Sequence, residues 1–294
     1  MRFLIGHATA ASEPRSLVVA KGLPNLVKIT LGQTGVGNAL RFTITTDDSE
    51  SSVAWDEFHG SIAGTLEAAA SIDIDITMLG CETIFHLVRY ALVAACPVTY
   101  HYVTPVSYTF ATDPFQLHER SDICQLPGFM ARPNNLEGRR HRHVVTLGFD
   151  KGRARKFVER YGWNSQDTRA VIVCPEFVDD GLSQALKAAE PWLDEFRRTN
   201  AEVVAEVSVG PCSMAALLAR TMGQCEFMDL VLLGPKSLTL GAAIFCNSLT
   251  EKERLRVRVL TDFAVPLSSR SNGVGEQMSF AQADVLDAIL SASQ

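Results

Sequence analysis

Residues 231–238 read Val231-Leu232-Leu233-Gly234-Pro235-Lys236-Ser237-Leu238. An apolar strand here ends in glycine, and a hydroxyl residue then precedes an apolar segment with helical spacing. The pattern also occurs in Thr77-Met78-Leu79-Gly80-Cys81-Glu82-Thr83-Ile84, where Leu79 takes the place of Leu233 at an offset of 154 residues. The repeat indicates either a structural duplication or the pattern that all strand–turn–helix units share.

Hydrophobic periodicity extends this pattern in both directions from the two segments. Short apolar strands are predicted at 2–6, 26–31, 42–46, 74–79, 98–103, 144–149, 170–174, 202–209, 228–233 and 255–261. Helices are predicted at 55–70, 83–95, 153–161, 182–198, 214–222 and 237–247. Strands that alternate with helices predict an α/β protein with two Rossmann-like, doubly wound, mainly parallel sheet halves.

A segment rich in proline, glycine and asparagine separates the two halves. It breaks both the strand and the helix period, which is typical of a connecting segment. We therefore predict a first Rossmann-like half at 1–111, a linker at 112–142 and a second half at 143–294.

Composition excludes several classes of protein. The 294 residues are 47% hydrophobic and 20% charged, as in globular proteins, and no apolar run has the length of a membrane span. Residues 1–6 are too short for a signal peptide, and the seven widely spaced cysteines suit reduced thiols, so a cytoplasmic protein is expected. The net charge of −6 argues against duplex nucleic acid as the main partner.

The turn at 234–237 is the strongest candidate for a binding site. Gly234 permits a tight turn, Ser237 can cap the following helix, and Lys236 with the first free amides of that helix can hold a phosphate group. In the alternative interpretation, glycine and serine serve only the turn and the cap, and the lysine is solvated. Glu82 stands in the other copy where Lys236 stands here, so that copy is either degenerate or recognises a hydroxyl group.

Two further segments are candidates for contact with the same ligand. Gly148, Phe149 and Asp150 end the first strand of the second half, where open α/β sheets bind ligands, although Asp150 is equally suited to cap a helix. Arg270 lies in a polar, glycine-containing segment at 268–275 that is either a cover for the site or a plain surface loop.

Other motifs are weaker. Residues 32–39 resemble a phosphate-binding loop but end in Asn38 and Ala39 where lysine and a hydroxyl residue are required. His7 ends the first strand, where a catalytic base could stand, but no nucleophile can be assigned to it from sequence. The basic run at 139–143 is either a solvated charge run or a cover for a polyanion. No metal site is predicted, because repulsion within this run opposes metal binding by His141 and His143. No cofactor is predicted.

From residue 143 to about residue 262 the chain resembles CRISPR-associated Rossmann-fold (CARF) domains. The resemblance is carried by Thr146-Leu147-Gly148-Phe149-Asp150 and by the Gly234-Pro235-Lys236-Ser237 turn, although Pro235 stands where the family often has a small hydroxyl residue. It implies a nucleotide messenger, often a cyclic oligonucleotide, bound at a dimer surface. The ligand contacts implied are Gly148, Phe149, Asp150, Gly234, Lys236 and Ser237.

These observations leave three hypotheses about function. The first is a nucleotide-binding sensor or regulatory subunit of a prokaryotic defence or stress pathway, homo-oligomeric and acting through an effector protein. The second is a nucleotide-processing enzyme, such as a hydrolase or glycosidase. The third is a structural subunit that binds no ligand.

Overall fold

The computed structural model of the chain describes residues 2–7, 14–23, 26–34, 41–45, 50–54, 56–66, 69–108, 121–130, 139–147, 154, 157, 160–162, 167–173, 183, 186–187, 190, 193–194, 204–208, 210–264 and 271–294. Within these residues the strands are β1 (Arg2–His7), β2 (Leu26–Thr34), β3 (Arg41–Thr45), β4 (Glu50–Ala54), β5 (Ser71–Asp75), β6 (Val98–Val103), β7 (Ser107–Tyr108), β8 (Ser121–Met130), β9 (His141–Leu147), β10 (Thr168–Val173), β11 (Val204–Ser208), β12 (Phe227–Leu232), β13 (Val257–Ala264), β14 (Ser271–Asn272) and β15 (Gln277–Ala281). The helices are α1 (Pro14–Gly22), α2 (Phe58–Leu66), α3 (Cys81–Ala91), α4 (Pro211–Gln224), α5 (Lys236–Ser248), α6 (Glu251–Arg254) and α7 (Gln282–Ala292).

The strands form two mainly parallel sheets with the same internal order. In the first sheet the order is β15-β6-β5-β1-β2-β3-β4, and in the second it is β11-β10-β9-β12-β13-β8. The parallel strands β6-β5-β1-β2 of the first sheet correspond to β13-β12-β9-β10 of the second. The predicted α/β class with two mainly parallel sheets is therefore confirmed, and the common strand order supports a duplication.

The two halves exchange an antiparallel edge strand. Strand β8 follows the first half in sequence but pairs with β13 of the second sheet, whereas β15 follows the second half and pairs with β6 of the first. The connecting segments also pair with each other, because β7 and β14 form a short antiparallel ladder. The exchange joins the halves by backbone hydrogen bonds as well as by side-chain packing.

One buried apolar cluster joins the inward faces of both sheets. It includes Ile72 and Ile74 of the first sheet, Met228 and Leu230 of the second, and residues of the helices α3, α4 and α5. Because side chains alternate along a strand, the residues between these positions point to the outer faces. A second apolar cluster covers the outer face of the second sheet and includes the helical residues Ala154, Phe157 and Leu193.

The domain division stays a prediction, but two elements do not follow it. The predicted linker at 112–142 contains β8, which is a full edge strand, and the C-terminal elements β15 and α7 return to the first sheet and to α4. Composition missed β8 because proline and glycine are tolerated at sheet edges. None of the helices in the described part of the chain combines the length and the apolarity that crossing a bilayer would require.

Candidate functional site

The two repeated turns lie next to each other in the folded chain. Residues 79–83, called here the first turn, follow β5 and include the start of α3, and residues 233–237, called the second turn, follow β12 and include the start of α5. Helices α3 and α5 pack against each other, and the Lys236 ammonium donates a hydrogen bond to the carbonyl oxygen of Leu79. The tertiary structure thus brings together two segments that are 154 residues apart in sequence.

Each turn follows a strand at the point where the chain order of the sheet reverses. The chain runs from β1 to β2 on one side and later returns to place β5 on the other side of β1, and β9, β10 and β12 repeat this arrangement. Open α/β sheets bind ligands beyond the carboxyl ends of the strands at such a reversal. The first and second turns are therefore at the positions where a ligand is expected on topological grounds.

Thr146 holds the second turn in place. Its buried hydroxyl accepts hydrogen bonds from the amides of Leu233 (2.9 Å) and Gly234 (3.1 Å), and it donates to the carbonyl oxygen of Val231 (3.2 Å). Two amides that leave the sheet ladder are thereby satisfied by one side chain of the neighbouring strand β9. Thr146 lies in one of the motifs that carry the resemblance to CARF domains. Nothing in the local sequence pattern, however, indicated that its hydroxyl contacts Leu233, which is 87 residues away.

The segment that leads from β5 into the first turn is held by different side chains. An Asp75 carboxylate oxygen accepts from the amide of Thr77 (2.9 Å), and the Thr77 hydroxyl in turn accepts from the amide of Val103 (3.0 Å). Both side chains are buried. Thr77, two residues before the first turn, is thus bonded to the end of β6, which is the strand that leads into the β7–β14 ladder.

The electrostatic character of the site combines one cation with one buried carboxyl group. Burial raises the pKa of the Cys81 thiol, as does the charge of Glu82, while the charge of Lys236 opposes them. The Cys81 thiol therefore stays protonated near neutral pH and does not have the character of a nucleophile. Glu82 is 3% exposed, so an acidic group is built into the first turn where the second turn has its lysine.

The segments that connect the sheets cross beyond the ends of β6 and β13. In the ladder Ser271 pairs with Tyr108 and Asn272 pairs with Ser107, and the Gly275 amide then donates to the Thr104 carbonyl oxygen (2.8 Å). A Cβ atom at Gly275 would lie 2.5 Å from the Thr104 hydroxyl oxygen, so glycine is required for this approach. The C-terminal segment is thus anchored on the first half.

The predicted site residues have different outcomes. Gly148, Phe149, Asp150 and Arg270 lie outside the described residues; the described residues next to them in sequence are Leu147 of β9 and Ser271 of β14. Gly234, Lys236 and Ser237 lie at the carboxyl end of β12 and the start of α5. Their role in ligand binding stays a prediction.

The cap that was predicted for Ser237 is wrong. Helix α5 begins at Lys236, its N-cap residue is Pro235, and no side chain caps it. Ser237 is the second residue of the helix and is buried, so it lies two positions after the N-cap position from which a hydroxyl could accept from the free amides of α5. His7 ends β1, and its side chain lies outside the described residues.

A charged cluster lies near the amino ends of the parallel strands β9 and β12 in the second sheet. Asp229 is fully buried and accepts two hydrogen bonds of 2.6 Å from the Arg258 guanidinium. One nitrogen of His141 and one of His143 each lie 3.2 Å from the same Asp229 oxygen. Burial alone would raise the Asp229 pKa, but the close contact of His141 and the hydrogen bonds from His143 and Arg258 hold it well below its ordinary value.

This cluster could be considered as a metal site, because the ligand atoms of His141, His143 and Asp229 lie within 4.8 Å of one another. The Arg258 guanidinium, however, contacts both Asp229 oxygens, and a permanent cation at that distance opposes a divalent ion. Burial lowers the pKa of His143 and so favours its neutral form, which leaves Arg258 as the permanent positive charge that compensates Asp229. The arrangement is best explained as a buried ion pair with two neighbouring histidines.

The first sheet contains a corresponding cluster. Asp73 of β5 is buried and accepts from Arg2 of β1 at 2.6 and 3.0 Å, and His101 of β6 lies 2.7 Å from the carboxylate. Burial would raise the Asp73 pKa, but the bonds from Arg2 and His101 leave it below its ordinary value. In both sheets an outward-facing aspartate on the equivalent strand binds basic groups of the strands beside it, which again supports a duplication.

Comparisons with known proteins supply little beyond this geometry. No model of a known protein family matches the chain, and no curated protein matches it. Among solved structures, the chain is similar to the crystal structure of a universal stress protein from Archaeoglobus fulgidus DSM 4304 at 13% sequence identity and a TM-score of 0.28. The match covers 72% of this chain and 65% of the stress protein, so it spans less than two thirds of the stress protein's length.

Proposed function

We propose that the chain is a sensor or regulatory subunit that binds a nucleotide-type anion, such as a cyclic oligonucleotide, where the first and second turns meet. The hydrogen bond from Lys236 to the Leu79 carbonyl oxygen carries the proposal. It brings a cation to the junction of two strand–turn–helix units, each at the chain reversal of a parallel sheet.

Helix geometry favours an anion at this junction. The backbone amides at the N-terminus of an α-helix have no intrahelical partners, and this end of the helix carries a partial positive charge that attracts phosphate. Helices α3 and α5 pack against each other, and neither N-cap residue, Gly80 or Pro235, has a side chain that caps its helix. Two such ends can each contact one unit of a ligand that contains repeated nucleotide units.

The two turns have different side chains, so we expect them to contact different parts of the ligand. Lys236 suits a phosphate group over the second turn. Glu82 is buried in the first turn, so its charge disfavours a second phosphate there and favours an uncharged part of the ligand, such as a ribose or a base. A ligand of repeated units would then bind in one preferred orientation.

The common strand order of the two halves supports the part of the proposal that rests on the resemblance to CARF domains. That resemblance implies a ligand held at a dimer surface, and the two halves of this chain form a comparable pair through α3 and α5. The exchanged strands β8 and β15 connect the site to both sheets. A ligand that tightens the junction would therefore bias the whole chain, which is what a sensor needs in order to signal to an effector protein.

Direct binding measurements test the proposal. The purified chain is titrated with ATP, cyclic dinucleotides and cyclic tri- and tetra-adenylate, first by thermal shift and then by calorimetry. We expect Lys236→Ala to weaken binding by about tenfold or more, because charge-assisted hydrogen bonds contribute about 1.5–3 kcal/mol. The matched control is Lys252→Ala, which removes an exposed lysine of α6.

The outcomes separate the three hypotheses. Equal affinity of wild type and Lys236→Ala for the same nucleotide would refute the site. Absence of binding to the whole panel would favour the structural subunit. Conversion of a nucleotide to products, measured by chromatography, would favour the nucleotide-processing enzyme.

A further inference from the structure

A serine, a histidine and an aspartate lie in a row on the outer face of the first sheet. Ser279 of β15 is directly opposite His101 of β6 in the antiparallel ladder. The Ser279 Oγ lies 2.9 Å from His101 Nδ1, and His101 Nε2 lies 2.7 Å from an Asp73 oxygen. His101 and Asp73 are buried, whereas Ser279 is exposed. The row therefore leads from the interior of the protein to solvent.

The contacts determine where the protons are. Arg2 forms two hydrogen bonds to Asp73, and the lowered pKa of Asp73 keeps it an ionised carboxylate that can only accept. His101 Nε2 must then carry a proton in order to donate to Asp73. In the neutral ring this leaves the lone pair on Nδ1, so Ser279 Oγ donates its proton to that nitrogen.

We propose that Ser279 is a nucleophile for acyl transfer, with His101 as its general base and Asp73 as the residue that orients the imidazole. A hydrogen-bonded base beside a serine hydroxyl, itself oriented by a third group, is the arrangement that activates serine in enzymes on unrelated folds. Here the serine uses Nδ1 and the aspartate uses Nε2. Either ring nitrogen can act as a base once the other one is protonated.

The reaction with an ester is balanced by these groups and water alone. Ser279 Oγ attacks the carbonyl carbon while His101 Nδ1 takes the hydroxyl proton, and the C–O bond to the leaving alcohol breaks as that alcohol receives the proton from Nδ1. Water then attacks the acyl-serine, giving one proton to Nδ1, and the carboxylic acid leaves as Ser279 Oγ regains a proton. No oxidant, metal ion or cofactor is required.

The surroundings favour a small carboxylic ester over a phosphate ester as substrate. Arg2, on the same face of the sheet, is bound to Asp73 through two of its nitrogens, so its charge is already compensated. Gln277, two residues before Ser279 on the same face of β15, is exposed and places its side-chain nitrogen 3.4 Å from His101 Nδ1. A neutral amide donor at this position suits the oxygen of a carbonyl group.

The test uses the full chain and a serine-directed fluorophosphonate probe, in which Oγ displaces fluoride from phosphorus. We expect one adduct, mapped by peptide mass spectrometry to Ser279, and hydrolysis of p-nitrophenyl acetate by the same protein. Ser279→Ala should abolish both. The matched control is Ser291→Ala, which removes an exposed serine of α7 and should leave both unchanged.

The base is tested with His101→Gln. This variant should slow labelling by about 10²-fold or more, the usual contribution of a general base. If His101→Gln fails to fold, the comparison of Ser279→Ala with Ser291→Ala decides alone, because both positions are exposed. Labelling that is absent, spread over several serines, or unchanged in Ser279→Ala would overturn the proposal.

Discussion

The Asp229→Asn substitution is expected to lower the free energy of unfolding by about 3 kcal/mol. Asp229 is fully buried and accepts two 2.6 Å hydrogen bonds from Arg258, whose side chain is only 14% exposed. Removing one partner of a buried ion pair usually costs about 3–5 kcal/mol, because the other charge stays buried without compensation. Asparagine keeps one acceptor oxygen, which places the expected value at the lower end of this range.

Denaturant unfolding followed by circular dichroism at neutral pH measures this cost. A loss of about 3 kcal/mol is a change of about 150-fold in the ratio of folded to unfolded protein. The control Asp287→Asn removes an exposed aspartate of α7 and is expected to stay within about 0.5 kcal/mol of the wild type.

A double-mutant cycle with Arg258→Met separates the ion pair from other effects of the substitution. With the cation removed as well, Asp229→Asn should cost much less than it does alone. Because the folded-state pKa of Asp229 lies below the ordinary 3.8, its contribution is present above that value and is lost as pH falls through the folded pKa. A loss under about 1 kcal/mol for Asp229→Asn, or strict additivity in the cycle, would refute this account of the cluster.

Three other substitutions or conditions test the packing, the histidine cluster and the second turn. A Cβ atom at Gly241 of α5 would overlap the carbonyl oxygen of Pro211 and lie 2.9 Å from its carbonyl carbon, so Gly241→Ala should lower the melting temperature. Gly223→Ala, where nothing lies within 4 Å, should leave it equal or raise it by the greater helix propensity of alanine. Burial lowers the folded-state pKa of His143 from 6.5, so the free energy of unfolding should fall as pH drops below that value, and His143→Asn should flatten this dependence between about pH 7.5 and about pH 5.5. Thr146→Val leaves two amides of the second turn without their acceptor and should destabilise the chain by about 2 kcal/mol in thermal or denaturant unfolding, whereas Thr146→Ser should restore most of the loss.

Local periodicity was sufficient to predict most of the central strands and the helices that pack against them. The strand predicted at 98–103 is β6 without change, and the strand predicted at 228–233 differs by one residue from β12. Such elements are encoded by side chains two to four positions apart, which is the range that a sequence pattern shows directly. Strand β5 was predicted at 74–79 and lies at Ser71–Asp75, because the apolar residues that follow it continue into the buried first turn.

Elements at the edges were missed because they do not follow that pattern. Strand β8 contains Pro127 and Gly128, and β15 alternates between exposed and half-buried residues with few large apolar side chains. Both strands gain their stability from pairing with a strand of the other half, namely β13 and β6. Their existence therefore depends on contacts that are far away in sequence.

The amino-acid sequence by itself determined the α/β class, the alternation of strands and helices, and the repeat that relates Leu79 to Leu233. The tertiary structure alone decided that the two turns touch through Lys236, that the halves exchange edge strands, and that Ser279, His101 and Asp73 form a row. The physical reason is the range of the interactions. Helix and strand preferences act between neighbours in the chain, whereas the contacts of these sites depend on strand register and on which faces are buried together.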